Sequence, residues 1–331
     1  MQMSSNRILW IDTLKFLGIL FIVIGHLGPV SGKLYNFVFL FHVPLFFFVS
    51  GLFHRRSTSF ISFLDKKTKS LIIPYYILSL VSCVVYFLRF PQTQKDYLDA
   101  ISAIMFGVRN TTFYAEGLWF FPCLFIMSVF FEILLISTKR NLIITSLTVL
   151  IMYYCISVIP DRTPGSAPKI IFNIDSSVYY MIYYCAGYIL SGIAINIHNM
   201  SKKIYYPLTA ICLAIISKIY SDGTQQIYSL LTGYKLAAPT ISLLITLAII
   251  VSLSLLSVTL SSIPVTSSIG RKTLIICGTE NISKGIILSI IAMFGISFKI
   301  STPLMAISFS LAVIALSCII SKYVFSRYKY F

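Results

Sequence analysis

The chain has 331 residues, of which 57% are apolar and 11% charged, yet its formal net charge is +16. Soluble globular proteins carry about 25% charged residues, so the composition argues against an ordinary cytosolic enzyme. The 26 Lys and Arg are scattered among long apolar stretches and form no basic face, which removes nucleic acid as a partner.

A chain that lives in a lipid bilayer accounts for both numbers, and its mean hydropathy of +0.89 agrees. At about 20 residues per crossing, ten helical spans are expected, near residues 8–26, 35–53, 70–90, 118–136, 142–159, 176–197, 205–220, 236–259, 273–295 and 303–321. Runs such as LFIMSVFFEILLI are continuously apolar. A transmembrane β-barrel would instead alternate over segments of about ten residues. Helix is the expectation because lipid-exposed backbone must satisfy its own hydrogen bonds. The fold class is therefore all-α, a polytopic integral membrane protein, with residues 1–331 as one domain. The first apolar run is interrupted by Asp12 and Lys15, so it reads as a retained span and not as a signal peptide.

Basic residues set orientation. With a cytoplasmic N-terminus, fifteen Lys and Arg fall in inner segments and nine in outer ones. Both termini are accordingly expected in the cytoplasm. The seven cysteines lie singly, without CxxC or Cys/His spacing, so neither a disulfide framework nor a metal site is expected.

In chain order, the first span carries Asp12, Lys15 and His26. At about 100° per residue, Lys15 and His26 are about 20° apart and Asp12 about 60° from Lys15. All three share one face, with His26 about 16 Å along the axis from Lys15. Intramembrane ionisable groups are costly and mark functional sites. The alternative is that Lys15 snorkels to the inner headgroups while His26 is solvated at the outer end. His42 in the second span is placed to approach His26. An imidazole titrates near neutrality and suits proton transfer, although an interhelical hydrogen bond explains a lone histidine equally well.

The inner loop from His54 to Lys69 holds Arg55, Arg56, Lys66, Lys67 and Lys69 against one acid, Asp65. Positive-inside bias explains part of this; the functional reading is a site for the phosphates of a cytoplasmic cosubstrate. No phosphate loop or GxGxxG is present. Glu116 stands at the outer end of the fourth span, beside Trp119. Glu132 and Glu280 lie within spans, and Glu280 with Lys284 forms an i,i+4 pair of favourable polarity.

Three stretches together resemble the acyltransferase-3 family of bacterial membrane acyltransferases, and in particular its fucose 4-O-acetylase-like branch. RILWIDTLKFLGILFIVIGH (Arg7 to His26) is similar to the family's opening helix, where a basic residue precedes an essential histidine with ten residues between them. Here Lys15 and His26 fill that spacing. FLFHVPLFFFVSG (Phe39 to Gly51) is similar to the second-helix signature and contributes His42. FLDKKTKSLIIPYY (Phe63 to Tyr76) resembles the segment before the third helix, with Lys66 and Lys69 at the spacing of an R-x-x-R pair. GLWFFPCLF (Gly117 to Phe125) resembles a further helix start. A late motif departs: GRKTLIICGTE (Gly270 to Glu280) has Glu280 where many members have histidine, so no catalytic role is assigned there.

The resemblance implies a multi-pass protein of the bacterial inner membrane. It implies transfer of an acetyl group from acetyl-CoA to a hydroxyl of a cell-surface glycan or its lipid-linked precursor. His26, Lys15, Asp12 and His42 would be the catalytic set, the five loop cations the donor site, and acetyl-CoA a cosubstrate without a resident cofactor. A homo-oligomer is compatible with such a bundle. A proton-coupled transporter or flippase for a glycan precursor is the competing reading, because intramembrane Asp, Lys and His also build proton relays.

Overall fold

The computed structural model describes residues 8–57, 59–90, 93–111, 117–158, 168–197, 200–222 and 237–325, and every element among them is helical. Glu116 lies outside the described residues. The helices are α1 (Leu9–Gly25), α2 (Lys33–Val38), α3 (His42–Leu52), α4 (Phe60–Lys67), α5 (Ile73–Arg89), α6 (Gln94–Phe106), α7 (Phe120–Ser137), α8 (Leu142–Ser157), α9 (Ile174–Ile195), α10 (Lys202–Asp222), α11 (Ala237–Leu260), α12 (Pro264–Gly270), α13 (Thr273–Met293) and α14 (Pro303–Ile320).

Among the described residues, seven helical segments are long and apolar enough to cross a membrane. They are Lys33–Leu52, Phe60–Arg89, Phe120–Ser137, Lys203–Ser221, Ala237–Leu260, Thr273–Met293 and Pro303–Val324. The segments expected near 8–26, 142–159 and 176–197 also hold helices, α1, α8 and α9, outside that set.

Two boundaries differ from the sequence expectation. Hydropathy starts the third span at residue 70, but α4 starts at Phe60 and continues through a π-helical turn, Thr68–Ile72, into α5. Lys66, Lys67 and Lys69 therefore ride on a helix and not on a loop. The periodicity was masked because FISFLDKKTKS mixes apolar and charged residues; its start is a Ser59 cap, whose hydroxyl accepts the Ser62 N–H. The short helix α6 was also unforeseen. It opens with a reciprocal capping box between Thr93 and Asp96, whose hydrogen bonds hold the Asp96 carboxyl below its ordinary pKa.

α1 is the axis of the bundle, packed by α3, α11, α12, α13 and α14. All its residues from Trp10 to Leu14 are buried, Asp12 included. α3 crosses α9 at short range. A Cβ at Gly51 would run into the Tyr184 carbonyl, and one at Gly187 into that of Phe48. Paired glycines let two apolar helices approach where lipid offers no hydrophobic drive to associate. These crossings leave His26, Arg109, Asn110, Gly117, Trp119 and the start of α13 at one cavity, and gather Lys15, Phe53, His54 and Arg140 at the opposite end of the bundle.

Candidate active site

His26 caps the C-terminus of α1, its backbone N–H still bonded to the Ile22 carbonyl at 2.9 Å. Its Nδ1 lies 2.5 Å from Glu280 Oε1 on α13. A carboxylate only accepts, so in the neutral ring Nδ1 carries the proton and Nε2 the lone pair. Nε2 has no hydrogen-bond partner among the described residues. The Glu280 side chain is 2% exposed and that of His26 14%. The carboxylate is thus sealed while the imidazole keeps an open edge. Lys284 Nζ reaches the same Glu280 oxygen at 3.3 Å. The other oxygen, Oε2, is buried without a hydrogen-bond partner among the described residues.

The open edge of His26 borders a cavity of about 610 Å³. His42 lines the same cavity. Its Nδ1 is 2.6 Å from the Val38 carbonyl, which likewise only accepts. That fixes the proton on Nδ1 and leaves Nε2 an acceptor. The Phe39 ring meets His42 edge to face at 4.8 Å between centroids. Arg109 joins the wall, with its guanidinium carbon 4.6 Å from the Trp119 ring centroid. The remaining wall is mainly aromatic and aliphatic, a mixture of apolar surface and a few fixed polar groups typical of small-molecule sites.

The structure separates the rest of the expected set from this cavity. Asp12 and Lys15 pair with each other at 3.3 Å, and Lys15 Nζ sits 5.2 Å from the Phe53 ring centroid. Neither lines the His26 cavity. They share a helical face with His26, but about 21 Å of axis lies between Asp12 and His26, and α12 packs against the α1 backbone at the Asp12 end. Gly270 abuts the Asp12 carbonyl there.

The five expected donor cations gather at the Lys15 end in unequal settings. Arg55 donates to the Leu52 and His54 carbonyls, and Arg56 is exposed. Lys66 is exposed, Lys67 is half-buried over the Phe63 ring, and Lys69 pairs with Asp65 at 2.7 Å in the open.

Two partnerships escaped the sequence reading. Glu280 was paired with Lys284 alone and given no catalytic role; the Lys284 contact is present, but His26 holds the same oxygen more closely. The signal was an ionisable residue deep in a span at the position of a family histidine. The second is His54, read only as the start of a loop. Its Nε2 is 2.9 Å from Glu132 Oε2, and its Nδ1 is 2.8 Å from the Tyr184 hydroxyl. Arg140 binds the other oxygen of Glu132. Burial pushes the His54 imidazole below its ordinary pKa, with Glu132 opposing and Lys67 and Arg140 reinforcing the shift. The neutral ring satisfies both contacts, Nε2–H donating to Glu132 and Tyr184 O–H donating to Nδ1.

No curated protein and no solved structure is significantly similar to the chain. One sequence family does match: the acyltransferase-3 profile, described as an acyltransferase domain, aligns with residues 8–322. The match covers nearly the whole chain, and the chain belongs to the acyltransferase-3 family as a multi-pass membrane acyltransferase.

Proposed function

We propose that the protein transfers an acetyl group from acetyl-CoA to a hydroxyl of a cell-surface polysaccharide or its lipid-linked precursor, with His26 as general base. The observation that carries this reading is the His26 ring, its Nδ1 proton held by Glu280 and its Nε2 lone pair at the cavity. The same polarity, base in front and buried carboxylate behind, serves acyl transfer on unrelated folds.

In the proposed step, Nε2 takes the proton of the acceptor hydroxyl as its oxygen bonds to the thioester carbonyl carbon. The C–S bond then breaks, and the CoA thiolate leaves with the proton returned by His26. Glu280 stabilises the imidazolium between these events. His42 Nε2, an acceptor in the same cavity, orients the hydroxyl. Ten crossings with both termini cytoplasmic put the His26 end outside the bacterial inner membrane and the basic end inside. Arg55, Arg56, Lys66, Lys67 and Lys69 then offer charge to the donor phosphates, and the long pantetheine arm carries the acyl group along α1. The fucose 4-O-acetylase-like branch fits an acceptor of this class. Asp12 and Lys15 support the donor end and take no part at the hydroxyl.

The test is to express the chain in a bacterial strain making a candidate acceptor polysaccharide and to quantify O-acetyl groups by NMR and mass spectrometry. Wild type adds acetyl, His26→Ala does not, and purified wild type binds acetyl-CoA. An unchanged acetyl yield in His26→Ala overturns the mechanism. Solute accumulation driven by a pH gradient, without acetyl-CoA binding, replaces it with the transporter reading. Direct attack also requires that Cys277→Ala, which alters the same cavity wall, retain transfer without an accumulating acyl-enzyme.

A further inference from the structure

Arg109 is the one permanently charged side chain among the described residues lining the His26 cavity. A guanidinium is always protonated and matches carboxylate and phosphate geometry. Its placement is built in several layers. The Arg109 backbone N–H donates to Asn173 Oδ1 at 2.7 Å. The amide of the same Asn173 donates to the Gly107 carbonyl at 2.7 Å and to the Trp119 carbonyl at 3.3 Å.

Asn173 is fully buried and held at a φ of 55°, a conformation L-residues other than Asn rarely adopt. One buried side chain therefore fixes both the arginine and the tryptophan on which it stacks. Tyr180 adds a hydrogen bond to the Arg109 side chain. Such support preorganises a cation against a ligand.

We infer that the cavity takes an anionic sugar, one bearing a carboxylate or a phosphate, with Arg109 as the residue that selects it and Trp119 as its stacking platform. The donor phosphates have their own cations at the opposite end of α1. Tyr35, Phe39, Phe46, Trp119, Phe120 and Phe121 supply flat apolar walls, suited to the C–H face of a pyranose, and the guanidinium supplies the charge recognition such walls lack. Naming this ligand the acyl acceptor rests on the transferase reading; its binding does not.

The test uses binding, so it stands even if turnover is never observed. The chain has two tryptophans, and Trp10→Phe leaves Trp119 as the sole reporter beneath Arg109. Purified full-length Trp10→Phe protein is titrated, by intrinsic fluorescence, with the methyl glycoside of a hexuronic acid and with the matching neutral hexose glycoside. The uronate is expected to bind at least roughly tenfold more tightly, the scale of one charge-assisted hydrogen bond. Adding Arg109→Gln should abolish that preference, and Arg109→Lys should keep part of it. A hexose 6-phosphate in a third arm assigns the anion: tighter binding than the uronate makes it a phosphate, weaker a carboxylate.

Equal binding of charged and neutral glycosides to the parent protein overturns the inference, as does a preference that survives Arg109→Gln. Where transfer is measurable, an equal loss of kcat on both acceptors in Arg109→Gln would make the arginine a general stabiliser of the reaction and would also overturn it. Absence of any acyl transfer alongside selective binding of the anionic sugar sinks the transferase reading alone.

Discussion

Among the described residues, two histidine–glutamate pairs stand at opposite ends of the bundle, and they differ in one respect that decides their use. His26 with Glu280 and His54 with Glu132 have similar separations, 2.5 Å and 2.9 Å, and in each the carboxylate is almost sealed. The His26 side chain is 14% exposed and has one nitrogen without a described partner, whereas that of His54 is 0% exposed with both nitrogens bonded. A base must reach a substrate proton, so only the first pair can do chemistry. The second is a strut. It joins the end of α3 to α7 and α9 through Glu132 and Tyr184, and it sits directly before Arg55 and Arg56. Pairing a carboxylate with an imidazole therefore says nothing by itself; the free edge of the ring distinguishes a site from a brace.

The sharpest way to break this comparison is to remove each histidine's function in turn. His26→Ala should lower acyl transfer by about 10³-fold, within the range of positioned acid–base groups. Its melting temperature should change little, because the ring borders a cavity. Glu132→Ala should do the reverse. Removing one member of a buried charge network costs about 3 kcal/mol or more, since Arg140 and His54 lose their acceptor. Thermal denaturation in detergent should show that loss, with activity per folded molecule largely kept. If Glu132→Ala removed activity at full stability, the inner pair would be catalytic and the distinction would fail.

Glu280→Gln should fall between them. The amide oxygen still accepts from Nδ1, but the charge that stabilises the imidazolium is gone. A loss of about 10- to 100-fold in kcat is expected, the usual effect of removing an orienting partner. The pH–rate profile should move with it, whereas a purely structural Glu280 would change stability and leave the profile in place.

Much of the helical architecture was legible because lipid imposes a coarse rule, an apolar run about 20 residues long. Each of the ten expected segments holds a helix. The misses lie where that rule is silent. α4 is too charged to register as part of a span, and α6 is too short and amphipathic. At the site, His26 and His42 stood out as ionisable residues in apolar runs. Their partners lie 254 residues away in Glu280 and four residues away in the Val38 carbonyl. The first depends on how α1 packs against α13, which no local pattern encodes; the second is a backbone contact no side-chain motif reports. Asp12 and Lys15 misled for the complementary reason. Helical periodicity gives the face a residue occupies but not what it meets there, and Lys15 meets Asp12 and the Phe53 ring.

The smallest effect concerns the strut alone and tests whether His54 is held neutral. Burial lowers the His54 pKa in the folded protein below its ordinary value. The unfolded chain therefore binds a proton on this residue, near pH 6.5, before the folded protein does. Wherever the unfolded state binds more protons, stability rises with pH. His54 should contribute fully above about pH 6.5, and its contribution should be lost as the pH falls from there toward the folded pKa. For one proton the slope is at most about 1.4 kcal/mol per pH unit. Melting temperatures between pH 7.5 and 5 should thus fall more steeply for wild type than for His54→Gln, whose amide bonds Glu132 but does not titrate. A wild-type slope shallower than that of His54→Gln, or of opposite sign, would mean that the ring is charged in the folded protein. The inner pair would then be an ion pair, distinguished from the outer one by burial alone.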